Sequence, residues 1–122
     1  MIKLTFCLHR LEHMSRDEFQ KYWLETHGPL VRERAKVIGA LRYTQLHTGY
    51  DALNEGLRAG RGGPEPYDGV AELWFESTEA IQAALATEDG RRAARELLED
   101  ERRFIDLARS PLWVADEHPI VA

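Results

Sequence analysis

Phe19, Tyr22, Trp23, Thr26, His27 and Leu30 combine side chains capable of chemistry with a spacing that would gather them. They recur three and four apart, so on a helix they share one face, and their apolar majority marks that face as inward. Ser15, with Glu18 three residues on, forms a capping box and places the helix start. Gly28-Pro29 is expected to interrupt the helix, since proline lacks an N–H and disfavours helical geometry in the residue before it. Pro29 suits the first turn of a second helix, so His27 would stand at a helix–helix corner beneath two aromatic rings. Imidazole titrates near neutral pH, and a histidine so placed either acts as acid, base or ligand anchor, or packs with its nitrogens satisfied locally. The direction of its pKa stays open. A helix ending at His27 favours the imidazolium, whereas apolar neighbours and a helix beginning at Pro29 oppose it.

The elements that would hold this stretch follow from periodicity. Ile2, Leu4, Phe6 and Leu8 alternate with Lys3, Thr5, Cys7 and His9, the period of a strand with one core face and one mixed face. After the helical stretch Gly39 is a stop signal, and a second strand runs from Ala40 to about Thr48, with Tyr43, Gln45 and His47 on one face. Tyr50 to Pro66, rich in glycine and proline, reads as a flexible connector, with a lid as one role open to it. Tyr67 to Glu76 is a third strand. Ser77 opens a helix to about Ala86, Thr87 opens another to about Phe104, and Leu112 to Glu117 is a fourth strand. The run Glu99-Asp100-Glu101-Arg102-Arg103 reads as a solvated face with local ion pairing. The order βαββαβ predicts an α+β, ferredoxin-like unit over residues 1–122: a four-stranded antiparallel sheet with helices on one face. The other face, carrying Trp74 or Trp113, would be left in water, and a homodimer of face-to-face sheets would cover it.

A chain of 122 residues is a single domain, and 43% hydrophobic residues suffice for a core. The formal net charge of −5 argues against nucleic acid or an anionic membrane as partner. A lone cysteine, Cys7, excludes an internal disulfide and a cysteine-based zinc cluster, and its mid-strand place suggests a small buried side chain. His9 and His13 are four apart but fall where a strand passes into a turn, so they do not make a metal-binding helix face. No apolar run approaches the roughly 20 residues that span a bilayer, and Ile2 to Leu8, broken by Lys3 and Thr5, is no signal peptide. A cytoplasmic protein is expected.

Phe19, Tyr22-Trp23 and His27-Gly28-Pro29-Leu30-Val31 resemble the signature of the EthD family of small dimeric α/β-barrel proteins. Tyr67-Asp68-Gly69 through Trp74-Phe75, Asp100 through Asp106, and Ser110-Pro-Leu-Trp113-Val extend the resemblance in the same order over most of the chain. It implies a dimeric α/β barrel and a cavity between sheet and helices. His27 would be the acid/base there, with Tyr22, Tyr43, Tyr67 and Asp106 as hydrogen-bond partners, and Trp23, Trp74 and Phe6 as apolar walls that hold the ligand.

Three functions fit these residues. The first is a small cofactor-independent enzyme of lyase or cyclase type, carrying out cyclisation, dehydration or decarboxylation on an aromatic or polyketide-like acid. The second is an accessory protein of an oxidative degradation pathway, as the family's association with ether breakdown implies. The third is a non-catalytic binder of a hydrophobic small molecule or of haem, which related dimeric barrels hold through a histidine. No catalytic triad, dinucleotide fingerprint or metal cluster is recognisable, which favours acid–base chemistry or binding over hydride transfer.

Overall fold

The computed structural model describes residues 1–122. Four strands, β1 (Ile2–Leu8), β2 (Arg42–His47), β3 (Gly69–Phe75) and β4 (Leu112–Asp116), form one antiparallel sheet in the order β2-β3-β1-β4. The register places Leu4 opposite Leu73 and Val114, and Leu73 opposite Tyr43. Alternate residues therefore line opposite faces. The inner face carries Ile2, Leu4, Phe6, Leu8, Ala71, Leu73 and Tyr43, and the helices cover it. Between β1 and β2 run α1 (Arg16–Tyr22) and α2 (Gly28–Arg34), and after β3 run α4 (Thr78–Leu85) and α5 (Glu88–Glu101). The fold is α+β and ferredoxin-like, with Phe19, Trp23, Phe104 and Leu8 fully buried at its centre.

Local chemistry accounts for the helix starts. Ser15 accepts from the Glu18 N–H while the Glu18 carboxylate accepts from the Ser15 N–H, and Ser77 and Thr87 accept from Ala80 and Gly90 in the same way. Gly39, at φ 83°, makes the turn into β2 that a side chain would strain.

Three expectations need correcting. Gly28-Pro29 does not break the helix. Residues Trp23–His27 form a π-helical turn, the Gly28 N–H donates to the Trp23 carbonyl, and the backbone continues helically into α2. Proline in a helix forfeits one N–H bond and crowds the carbonyl four residues back; a wider turn accommodates both. There is accordingly no corner at His27, and Thr26 is exposed rather than inward. Secondly, the segment after Tyr50 is not all loop, because it carries α3 (Asp51–Ala59). This helix buries no residue, and local interactions define it: Asp51 in its first turn, an Asn54 side chain donating to the Gly49 carbonyl, and an Arg58–Glu55 ion pair. Thirdly, Cys7 is only half-buried, since it lies on the outer face of the sheet.

No helix is long and apolar enough to cross a membrane.

Candidate active site

The helical arm formed by α1, the π-turn and α2 is pinned to the sheet by Trp23. Its indole occupies the space a Cβ at Gly69 would need, the nearest ring carbon lying 2.4 Å from that position, so only glycine lets the ring lie against β3. On its other side Trp23 stacks on His47 at 4.5 Å between centroids. Gln45 on β2 donates to the Trp23 carbonyl at 2.9 Å and to the Tyr43 hydroxyl at 2.8 Å, tying the π-turn to the strand.

One turn further on, the His27 side chain is buried, with 5% of the residue exposed, and packs against Phe104 at 5.0 Å between centroids. Its Nδ1 lies 2.7 Å from Oδ2 of Asp100 on α5, which is itself only 4% exposed. Tyr22 donates its hydroxyl to Oδ1 of the same carboxylate at 2.5 Å, and Arg103 donates at 3.2 Å. Burial alone would raise the Asp100 carboxyl, but the donors from Tyr22, His27 and Arg103 outweigh it and hold it below its ordinary value. An ionised carboxylate only accepts, so Nδ1 carries the proton. His27 is pushed below its ordinary value because burial outweighs the neighbouring carboxylate, and it is neutral near pH 7. Its Nε2, with no protein partner, therefore presents a lone pair.

That lone pair belongs to a side chain lining a small apolar cavity of about 50 Å³, whose other walls are Phe6, Leu8, Trp23, Val31, Tyr43, Ala71, Leu73, Leu97, Ile105 and Glu101. Burial raises Tyr43 to about 12, so it stays a neutral phenol. Tyr43 also lines a wider cleft of about 490 Å³ between α2 and β2, together with Leu24, Arg32, Leu41, Arg42 and His47. The arrangement can take a proton from, or return one to, an atom held in an apolar, water-poor space.

The residues singled out in the sequence fall into three groups. His27, Tyr43, Trp23 and Phe6 line the cavity, and Tyr22 reaches it indirectly through Asp100. Tyr67 lies elsewhere: it stacks on His9 at 4.7 Å and lines a polar cleft beside the Arg10–Asp68 ion pair. Trp74 points to the outer face, where Lys3 and Arg42 approach its ring at 4.8 and 4.6 Å, because its position in β3 has the opposite parity to Leu73. Asp106 is not a partner of His27. It follows the turn that ends α5, donates its N–H to the His9 carbonyl and faces Arg109 at 3.8 Å. The carboxylate that holds His27 is Asp100, which with Glu101 turns towards the interior from the stretch expected to be a solvated face. Its signal was its position: Ala93, Leu97, Asp100 and Phe104, spaced four, three and four, form the buried stripe of α5. Glu101 follows Leu97 by four and precedes Ile105 by four in the same way.

The sequence matches the EthD domain family over residues 11–108, and the chain belongs to the EthD family. No curated protein matches it. Its fold is similar to that of an EthD family protein from Bacillus halodurans C-125, with 20% identity, TM-score 0.63, and coverage of 97% of this chain and 99% of the other. It is also similar to SnoaB, a cofactor-independent oxygenase from Streptomyces nogalater (14% identity, TM-score 0.56, coverage 98% and 95%). A third similar structure is a dimeric protein of ferredoxin-like fold and unknown function from Bacteroides fragilis (7% identity, TM-score 0.58, coverage 95% of each chain).

Proposed function

We propose that the protein is a cofactor-independent acid–base catalyst acting on an aromatic or polyketide-like acid, in a cyclisation, dehydration or decarboxylation. The observation that carries this reading is the His27 imidazole, which is fixed by Asp100 through Nδ1, has no protein partner at Nε2 and lines an apolar cavity. Asp100, itself held by Tyr22 and Arg103, fixes the ring orientation and leaves Nε2 free, which supports an acid–base role. The fold it shares with a cofactor-independent oxygenase supports chemistry in this architecture without a prosthetic group. Phe6 and Trp23 are the walls, and Tyr43 lines both the cavity and the wider cleft from which a ligand would enter.

The working form is a homodimer through the outer sheet faces. Trp113, at 48% exposed, and Leu46, at 52%, stand on that face beside Cys7, Val70 and Trp74, and a second copy would cover them. The similar Bacteroides protein is dimeric.

The test is a panel of aryl and polyketide-type β-keto acids followed by mass spectrometry for loss of CO₂ or water, wild type against His27→Gln. Glutamine can retain one hydrogen bond at similar volume, so the variant is expected to keep its fold and lose turnover tenfold or more, roughly the contribution of a general acid or base. A destabilised but fully active variant would end the case for His27.

A further inference from the structure

We propose that Glu101 is the second proton-transfer group of the cavity: a carboxylic acid facing the same substrate as His27 and protonating its oxygen while His27 takes a proton from carbon. This rests on the reading of His27 as a base. Asp100 and Glu101 are sequence neighbours on α5, yet only Asp100 collects donors; the Glu101 carboxyl makes no hydrogen bond or ion pair in the protein. A carboxyl turned into an apolar wall without a partner is unfavourable, and a leucine there would simply complete the stripe with Leu97 and Ile105. Glu101 is only partly exposed, and it lines the cavity that His27 also faces.

The groups around it keep it neutral. They are Asp100 on its own helix, His27 from the π-turn and Tyr43 from β2, none of which brings a positive charge at neutral pH. Burial, then the Asp100 charge, push the carboxyl up to about 7. A neutral base and a neutral acid thus share one apolar cavity.

The chemistry for such a pair is enolisation. Nε2 of His27 takes the proton from the carbon beside a carbonyl, and the C–H electron pair becomes a C=C bond. The carbonyl π pair moves onto oxygen, which takes the Glu101 proton. The enzyme is left as imidazolium and carboxylate with no net change of charge, and return of the two protons resets it. The substrate class is therefore an enolisable ketone or β-keto acid with an aromatic body. The inner cavity of about 50 Å³ would take the reacting carbonyl and its neighbouring carbon, with the rest of the substrate reaching, past Tyr43, the cleft of about 490 Å³ that this residue also lines.

The experiment uses 2-tetralone as probe and follows exchange of its α-protons in D₂O by ¹H NMR across pH. Wild type is expected to exchange faster than buffer, with a rate that falls on the acid side as His27 protonates and on the alkaline side as Glu101 ionises near about 7. Glu101→Gln should be slower by roughly tenfold or more and lose the alkaline fall, while Glu101→Asp, which restores a carboxyl, should recover that fall. His27→Gln should lose exchange at every pH. If Glu101→Gln matches wild type in rate and alkaline fall, the Glu101 assignment is overturned and the His27 reading stands. If His27→Gln matches wild type, or wild type matches buffer, both fall. A ¹³C carboxyl titration of the free protein gives an independent arm: a Glu101 midpoint below about 5, near the ordinary glutamate value, overturns the proposal whatever the exchange data show.

Discussion

On the outer face of the sheet Lys3 pairs with Glu72 at 2.8 Å and Glu117 at 3.2 Å, while Lys3 and Arg42 flank the Trp74 ring. On the inner face His27, Asp100 and Glu101 stand among Phe6, Trp23, Leu97 and Phe104. The side chains are of similar kinds but their surroundings differ. Outside, opposite charges meet beside solvent, which screens them and makes the pairs weak in energy. Inside, burial forces a choice: Asp100 keeps its charge because three groups donate to it, and Glu101, with none, holds its proton. The inner face thus holds groups poised to exchange protons near neutral pH.

Four measurements would break or sharpen this contrast. The largest effect belongs to Trp23→Ala, which empties the space between the arm and Gly69; urea melts should show a loss of roughly 3–5 kcal/mol. Next is Glu101→Gln, whose effect depends on pH. Burial raises the folded-state pKa from 4.5 to about 7, so the protonated form stabilises the fold fully below 4.5, and that contribution is lost as pH rises through about 7. At pH 8 the glutamine variant should be more stable than wild type by on the order of 1–3 kcal/mol, and at pH 5 the difference should largely vanish. Equal gaps at both pH values would show that Glu101 is not buried as a neutral acid. Trp74→Ala should change the monomer's stability by about 1 kcal/mol or less, as for a surface site, yet shift light scattering at micromolar concentration towards monomer. A wild type that is monomeric under those conditions would remove the dimer from the outer face. The smallest effect is expected at Arg61→Ala, an exposed side chain beyond α3, at about 0.5 kcal/mol or less.

What was legible in the sequence was what local chemistry and periodicity determine. The alternation of Ile2 to Leu8, the caps at Ser15, Ser77 and Thr87, and the glycine turn at Gly39 each act within a few residues, and the four-stranded fold followed from them. α3 was not legible, because Leu53 and Leu57 are too few to mark a face and Gly56 sits inside the helix. Asp100 and Glu101 were read as solvated because five charged residues in a row suggest water. Which two of the five turn inward depends on the phase of α5 against Phe104 and the π-turn, a tertiary relation. Trp74 was read both as a candidate for the uncovered face, where it lies, and as a cavity wall, which it is not, for a related reason: a strand's period separates two faces without saying which one the helices will cover.

The π-turn also constrains how this chain can change length. Phe19, Trp23, His27 and Val31 are each four apart, and all are buried. On a regular α-helix residues four apart advance by about 40° per step, so a run of four would wind roughly 120° around the axis and carry its last members off the sheet. The wider turn at Trp23–His27 unwinds the arm by part of that angle and keeps the ridge straight. A one-residue deletion within Trp23–His27 that restored regular helix would leave Trp23 seated on Gly69 and swing everything after it out of phase, taking imidazole from carboxylate without altering either residue. The arm's residue count is thus as much a part of the site as the identity of its histidine.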